Sequence, residues 1–189
     1  WPEFTVAPLP EAGLASGALV FLPYAAVGDL AGAEHYLALC EEVPAYLEAG
    51  LSALADGRAG GRLPVARLVA NSARQLRSYL SSALDDDPHL SPLASLGDAR
   101  LSAQLRDLVT HRLRPAYAAY AEHLETEVIA GARGDDSVSL LALPGGPEIY
   151  AAAIHERTTF AADPRHLHEL GKSHVETLRA EAAEIARQL

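Results

Sequence analysis

The chain carries eight histidines and 25 aspartates and glutamates in 189 residues, the side chains from which a hydrolytic metal site is made. Zincins place two histidines four residues apart on a helix, about 40° from each other on one face, with a glutamate between them as base. His155-Glu156 has no second histidine at that spacing. His168-Glu169 is followed by His174, which on a continuous helix lies about 120° round and roughly 9 Å along the axis. His166 and His168 diverge by about 200° in the same frame. No two of these imidazoles converge on one cation, so neither a catalytic residue nor a metal ligand is assigned within this chain.

A second chemistry is recognition of a substrate carboxylate. On the helix opened by Pro147, Ile149, Ala153 and Ile154 mark the apolar side, while Tyr150 and Arg157 are seven residues apart and share a face. An arginine there could clamp a carboxylate, as a carboxypeptidase requires. The plainer reading sends Arg157 to solvent or pairs it with Glu148 or Asp163. His168 and Glu169 are the remaining candidates for contact with a substrate or a neighbouring loop. Their structural alternative has His168 bridging to a neighbouring helix and Gly171 admitting a close helix approach. His174 is expected in the core.

Leu143-Pro144-Gly145-Gly146-Pro147-Glu148-Ile149-Tyr150, then Thr158-Thr159, then His168-Glu169-Leu170-Gly171, resembles a bacterial family of unknown function, DUF885. The resemblance covers roughly residues 36–189. It implies a helical zinc metallopeptidase-like hydrolase similar to M32 carboxypeptidases, whose metal is expected on a further His-Glu element ending in Pro-Gly-His, downstream of this chain. On that implication the chain holds no cofactor of its own and is inactive alone, zinc belongs to the full-length protein, and the partner is the remainder of the same polypeptide. The alternative is a non-catalytic helical interaction or scaffold domain. Surface left uncovered by a missing half would favour a homodimer.

These residues need elements to position them, and the periodicity supplies helices. The expected fold is all-α, an antiparallel bundle of about six helices over 29–189 as a single domain, preceded by a Pro/Gly-rich extended segment over 1–28. Tyr36, Leu37, Leu39, Cys40 and Val43 form an amphipathic stripe up to a break at Pro44, where a new helix starts and runs through Tyr46, Leu47, Leu51 and Leu54 to Gly57. Gly57 to Gly61 reads as a loop, after which Pro64 opens a helix with Val65, Leu68, Val69, Leu76 and Leu80 inward. Asp85-Asp86-Asp87-Pro88 reads as a solvated capping turn, because no EF-hand alternation follows it. Asp98 caps the longest helix, with Leu101, Leu105, Leu108, Leu113, Tyr117, Tyr120, Leu124 and Val128 inward and a kink or break at Pro115. Ser137 to Leu143 reads as a short extended segment. Asp163 and Pro164 open the last helix, which buries Leu167, Leu170, His174, Val175, Leu178, Ala182 and Ile185.

Composition narrows the partners. The net charge is −10, unlike the clustered Lys and Arg that nucleic-acid binding needs, and the same sign opposes an anionic membrane surface. The longest apolar run, residues 18–27, is far short of the roughly 20 residues that span a bilayer. Arg67, Arg74 and Arg77, like His111, Arg112 and Arg114, read as solvated faces. A sequence that begins at Trp1 and contains no methionine is expected to be part of a longer protein, which leaves its compartment open. Cys40, the single cysteine, is expected to be a buried structural thiol.

Overall fold

A computed structural model describes residues 5–7, 9 and 13–188. Helix dominates and, among the described residues, the sole β pairing is an isolated parallel bridge between Val65 and Arg133, so the all-α expectation holds. The residues form two compact units, one ending at Val138 and the other beginning at Ser139.

In the first unit, α1 (Leu14–Phe21) continues into a 3₁₀ turn, Leu22–Tyr24. The stretch expected to be extended is therefore helical in part: Leu14-Ala15-Ser16 begins a run without proline, and Ala15, Ser16 and Leu19 are buried. α2 (Leu30–Ala59) opens where Asp29 accepts a hydrogen bond from Gly32 N at 2.8 Å. It does not break at Pro44. An interior proline costs about 3 kcal/mol, and burial of Tyr36, Cys40, Val43, Leu47 and Leu54 along one stripe through that point offsets it. The same continuity carries the helix past Gly57, so the expected loop begins only at the Gly60 cap. Tyr46 faces away and is 49% exposed.

α3 (Ala66–Ser81) packs on α5 (Arg114–His123), as α2 does. α4 (Ala99–Leu108), capped by Asp98 through a 2.9 Å bond from Leu101 N, runs into a π-helical turn, Val109–Leu113, then α5, a second π turn at Leu124–Val128, and the short α6 (Ile129–Gly131). The first π turn carries Val109 and Leu113, which with Leu101, Leu105 and Leu108 are buried. It also meets Pro115, whose ring offers no N–H to the preceding turn. Widening, not a break, is thus how the helix accommodates proline.

In the second unit, a 3₁₀ turn (Leu140–Ala142) leads into α7 (Gly146–Thr158), and α8 (Pro164–Gln188) follows. The expected extended segment 137–143 is instead turn-like, because Ser139 accepts from Leu141 N at 3.1 Å and begins the 3₁₀ turn. Two glycines make the entry to α7. Gly145 has φ +68, a conformation glycine adopts without steric cost. A Cβ on Gly146 would lie 2.3 Å from the Leu140 carbonyl oxygen, so only glycine fits there. α8 starts as expected, with Asp163 accepting from Arg165 N at 3.0 Å and Pro164 in the first turn. Its apolar stripe is not buried, however. Leu170, Val175, Leu178 and Ile185 are 46–61% exposed and His174 is exposed, which corrects the expectation of a core helix and a core histidine. The helix is amphipathic, but its own unit does not enclose that face.

Candidate functional site

Tyr150 and Arg157 are both exposed on α7. Seven residues bring them to within about 20° of one another around the axis and roughly 10 Å along it. Arg157 pairs with neither Glu148 nor Asp163 among the described residues, so of the two plain alternatives it takes the solvent-reaching one. The helix ends on Thr159, which has φ +64 and donates its N–H to the His155 carbonyl at 2.7 Å. A β-branched residue in the left-handed region is strained. Thr158 Oγ1 lies 2.8 Å from the Ile154 carbonyl and 2.9 Å from that of Phe160, which ties the turn down.

His168 and Glu169 occupy the early turns of α8, both exposed, and Glu169 is in an ion pair with Lys172 at 3.1 Å. No hydrogen bond or ion pair joins either residue to Tyr150 or Arg157. A Cβ on Gly171 would meet nothing within 4 Å, so the close helix approach expected there is not made by described residues. A zinc ion does not fit this donor set: no group of three or more His, Cys, Asp and Glu side chains converges among the described residues.

The most densely bonded polar cluster lies in the first unit, at residues that sequence patterning read as solvated. Asp87 is 3% exposed and His89 is fully buried. Asp87 caps the 3₁₀ segment Pro88–Leu93 by accepting from His89 N at 3.1 Å, and the same carboxylate oxygen accepts a hydrogen bond from His89 Nδ1 at 3.0 Å. Its other oxygen accepts from Tyr79 Oη at 2.8 Å and Arg114 Nη1 at 3.2 Å. Arg114 then donates from Nη2 to the Leu80 and Ser82 carbonyls at 2.6 and 2.9 Å. One guanidinium therefore serves the open C-terminal end of α3 and neutralises a buried carboxylate. It also lies over the Tyr79 ring, 5.3 Å from its centroid.

Burial works against the Asp87 charge, but the hydrogen bonds from His89 and Tyr79 outweigh it and hold the carboxyl below its usual range. Burial, then the neighbouring Asp87 charge, pushes the Tyr79 hydroxyl well above the ordinary phenol value. Tyr36 donates to the His89 carbonyl at 3.0 Å and sits beside Cys40, whose buried thiol is pushed up to about 11. Cys40 is the buried thiol expected.

Two corrections follow. Asp87 leaves the acidic run and turns inward while Asp85 and Asp86 stay exposed, and Arg114 leaves the expected solvated face. The available signal was local: a cap residue before proline with a histidine two places on lets the ring return to the cap carboxylate. Arg67 and Arg77 keep to the surface as expected, in exposed ion pairs with Asp135 and Glu125.

Among the described residues no helix is long and apolar enough to cross a membrane. The family model described as bacterial protein of unknown function (DUF885) matches residues 13–189. No curated protein and no solved structure matches the chain.

Proposed function

The chain belongs to the DUF885 family, and on that premise we propose that it forms helical wall of a zinc metallopeptidase-like hydrolase with carboxypeptidase-like specificity, inactive by itself. The observation that carries this reading is the division of labour between the units. In the first unit the buried cluster of Tyr79, Asp87, His89 and Arg114 is engaged in holding helices together, whereas Tyr150, Arg157, His168 and Glu169 in the second remain exposed on helices. Zinc, which would polarise a scissile carbonyl and activate water, is held in this proposal by ligands other than the described residues. The role left to this chain is orientation. Arg157 offers two parallel N–H donors to a terminal carboxylate and Tyr150 a hydroxyl on the same face.

The test uses the protein translated from the complete reading frame. Arg157→Ala should raise KM for a peptide with a free C-terminal carboxylate about tenfold or more, as expected for loss of a charge-assisted bond, and leave the corresponding C-terminal amide unaffected. Equal effects on both substrates, or none, contradict the assignment.

A second reading, a non-catalytic interaction domain, is favoured by the exposed apolar stripe of α8. It predicts that the chain self-associates in gel filtration and that Leu178→Glu returns it to monomer. A wild-type monomer at high concentration contradicts it.

A further inference from the structure

Among the described residues, His89 Nε2 and Tyr117 Oη are buried in the first unit without a protein partner. Their rings adjoin, with centroids 5.8 Å apart and planes tilted by 41°, and Tyr79 closes the group edge-on to Tyr117 at 5.4 Å. Leaving two adjoining groups of this kind bare in the core is costly, and interiors resolve the problem with ordered water.

We propose that the chain has an internal solvent site in which one water bridges His89 Nε2 and Tyr117 Oη. Asp87 dictates the ligand class. Because its Oδ1 accepts a hydrogen bond from Nδ1–H, Nε2 must accept when the ring is neutral and donate when it is charged. A hydroxyl has the same dual character. A ligand that only donates or only accepts fails one of these states, whereas water serves both. The water extends the Tyr79–Asp87–His89 chain of hydrogen bonds to α5, joining the 3₁₀ segment to the helix that also carries Arg114.

Diffraction from the wild-type chain, at a resolution where individual waters refine, supplies the test. The expected result is a well-occupied peak at hydrogen-bond distance, about 2.7–3.2 Å, from both His89 Nε2 and Tyr117 Oη. Water-to-protein NOEs to the His89 ring in solution should report the same molecule with a long residence time. Tyr117→Phe should empty the site or cut its occupancy severely. A direct Tyr117 Oη–His89 Nε2 bond, an anhydrous contact, or a water that persists unchanged in Tyr117→Phe overturns the proposal. If that variant does not fold, the wild-type density and NOEs decide alone.

Discussion

Replacing Asp87 by alanine tests whether the buried cluster holds the first unit together. The substitution removes the acceptor for Tyr79 Oη, His89 N, His89 Nδ1 and Arg114 Nη1, and it leaves a guanidinium whose side chain is 16% exposed without its counter-ion. Removing one partner of a buried pair costs about 3–5 kcal/mol. Arg114 retains the Leu80 and Ser82 carbonyls, so the loss should fall near the low end, about 3 kcal/mol. For a chain of this length that corresponds to a fall in Tm of roughly 6–12 °C. Urea unfolding followed by circular dichroism at neutral pH gives the number. Asp85→Ala is the control: Asp85 pairs with Arg106 at 2.7 Å but is 82% exposed, so it should stay within about 1 kcal/mol of wild type. The folded Asp87 pKa is depressed, so its contribution is present above the unfolded value of about 3.9 and is lost as pH falls through the folded value. The gap between wild type and Asp87→Ala should accordingly close in acid. An Asp87→Ala loss no larger than that of Asp85→Ala refutes the reasoning.

Other perturbations follow from the backbone and the core. Gly146→Ala, whose Cβ would press on the Leu140 carbonyl, should cost about 1–3 kcal/mol as an overpacked contact, measured by thermal unfolding. Thr159→Gly should raise stability by about 1 kcal/mol, because φ +64 strains a β-branched residue and not glycine; no gain would mean that Thr158 and its neighbours already relieve the strain. The Cys40 thiol, buried and raised to about 11, should react with a disulfide reagent at pH 8 only as fast as the protein unfolds, and at once in denaturant. Because its folded pKa is raised, the stability of the neutral thiol is intact below the unfolded value and is lost as pH climbs toward about 11.

The helices of the first unit were legible because burial follows the 3.6-residue period: Leu101, Leu105, Leu113, Tyr117 and Leu124 are all at most 1% exposed. Caps at Asp98 and Asp163 were legible for the same local reason, since a short carboxylate beside free N–H groups has one good use. Continuity through Pro44 was not, because tertiary packing on both sides overrode a local penalty. Asp87 escaped notice since two neighbouring carboxylates make it look solvated, and its partners Tyr79 and Arg114 lie eight and 27 residues away. On α8 the period shows the helix and not its burial: amphipathicity says that a face can be covered, not that this chain covers it. Gly145 and Gly146, conspicuous in sequence, serve the turn into α7, which shows that punctuation of this kind can be a backbone requirement with no chemistry of its own.

The central proposal is that this chain shapes a hydrolase without gripping its metal. Zinc content by plasma mass spectrometry, measured on the 189-residue chain and on the protein from the complete reading frame after equal exposure to zinc and exhaustive dialysis, tests it most directly. The account predicts stoichiometric zinc in the complete protein and none retained by the chain alone. Zinc held tightly by the 189 residues, or a complete protein that binds none, contradicts it.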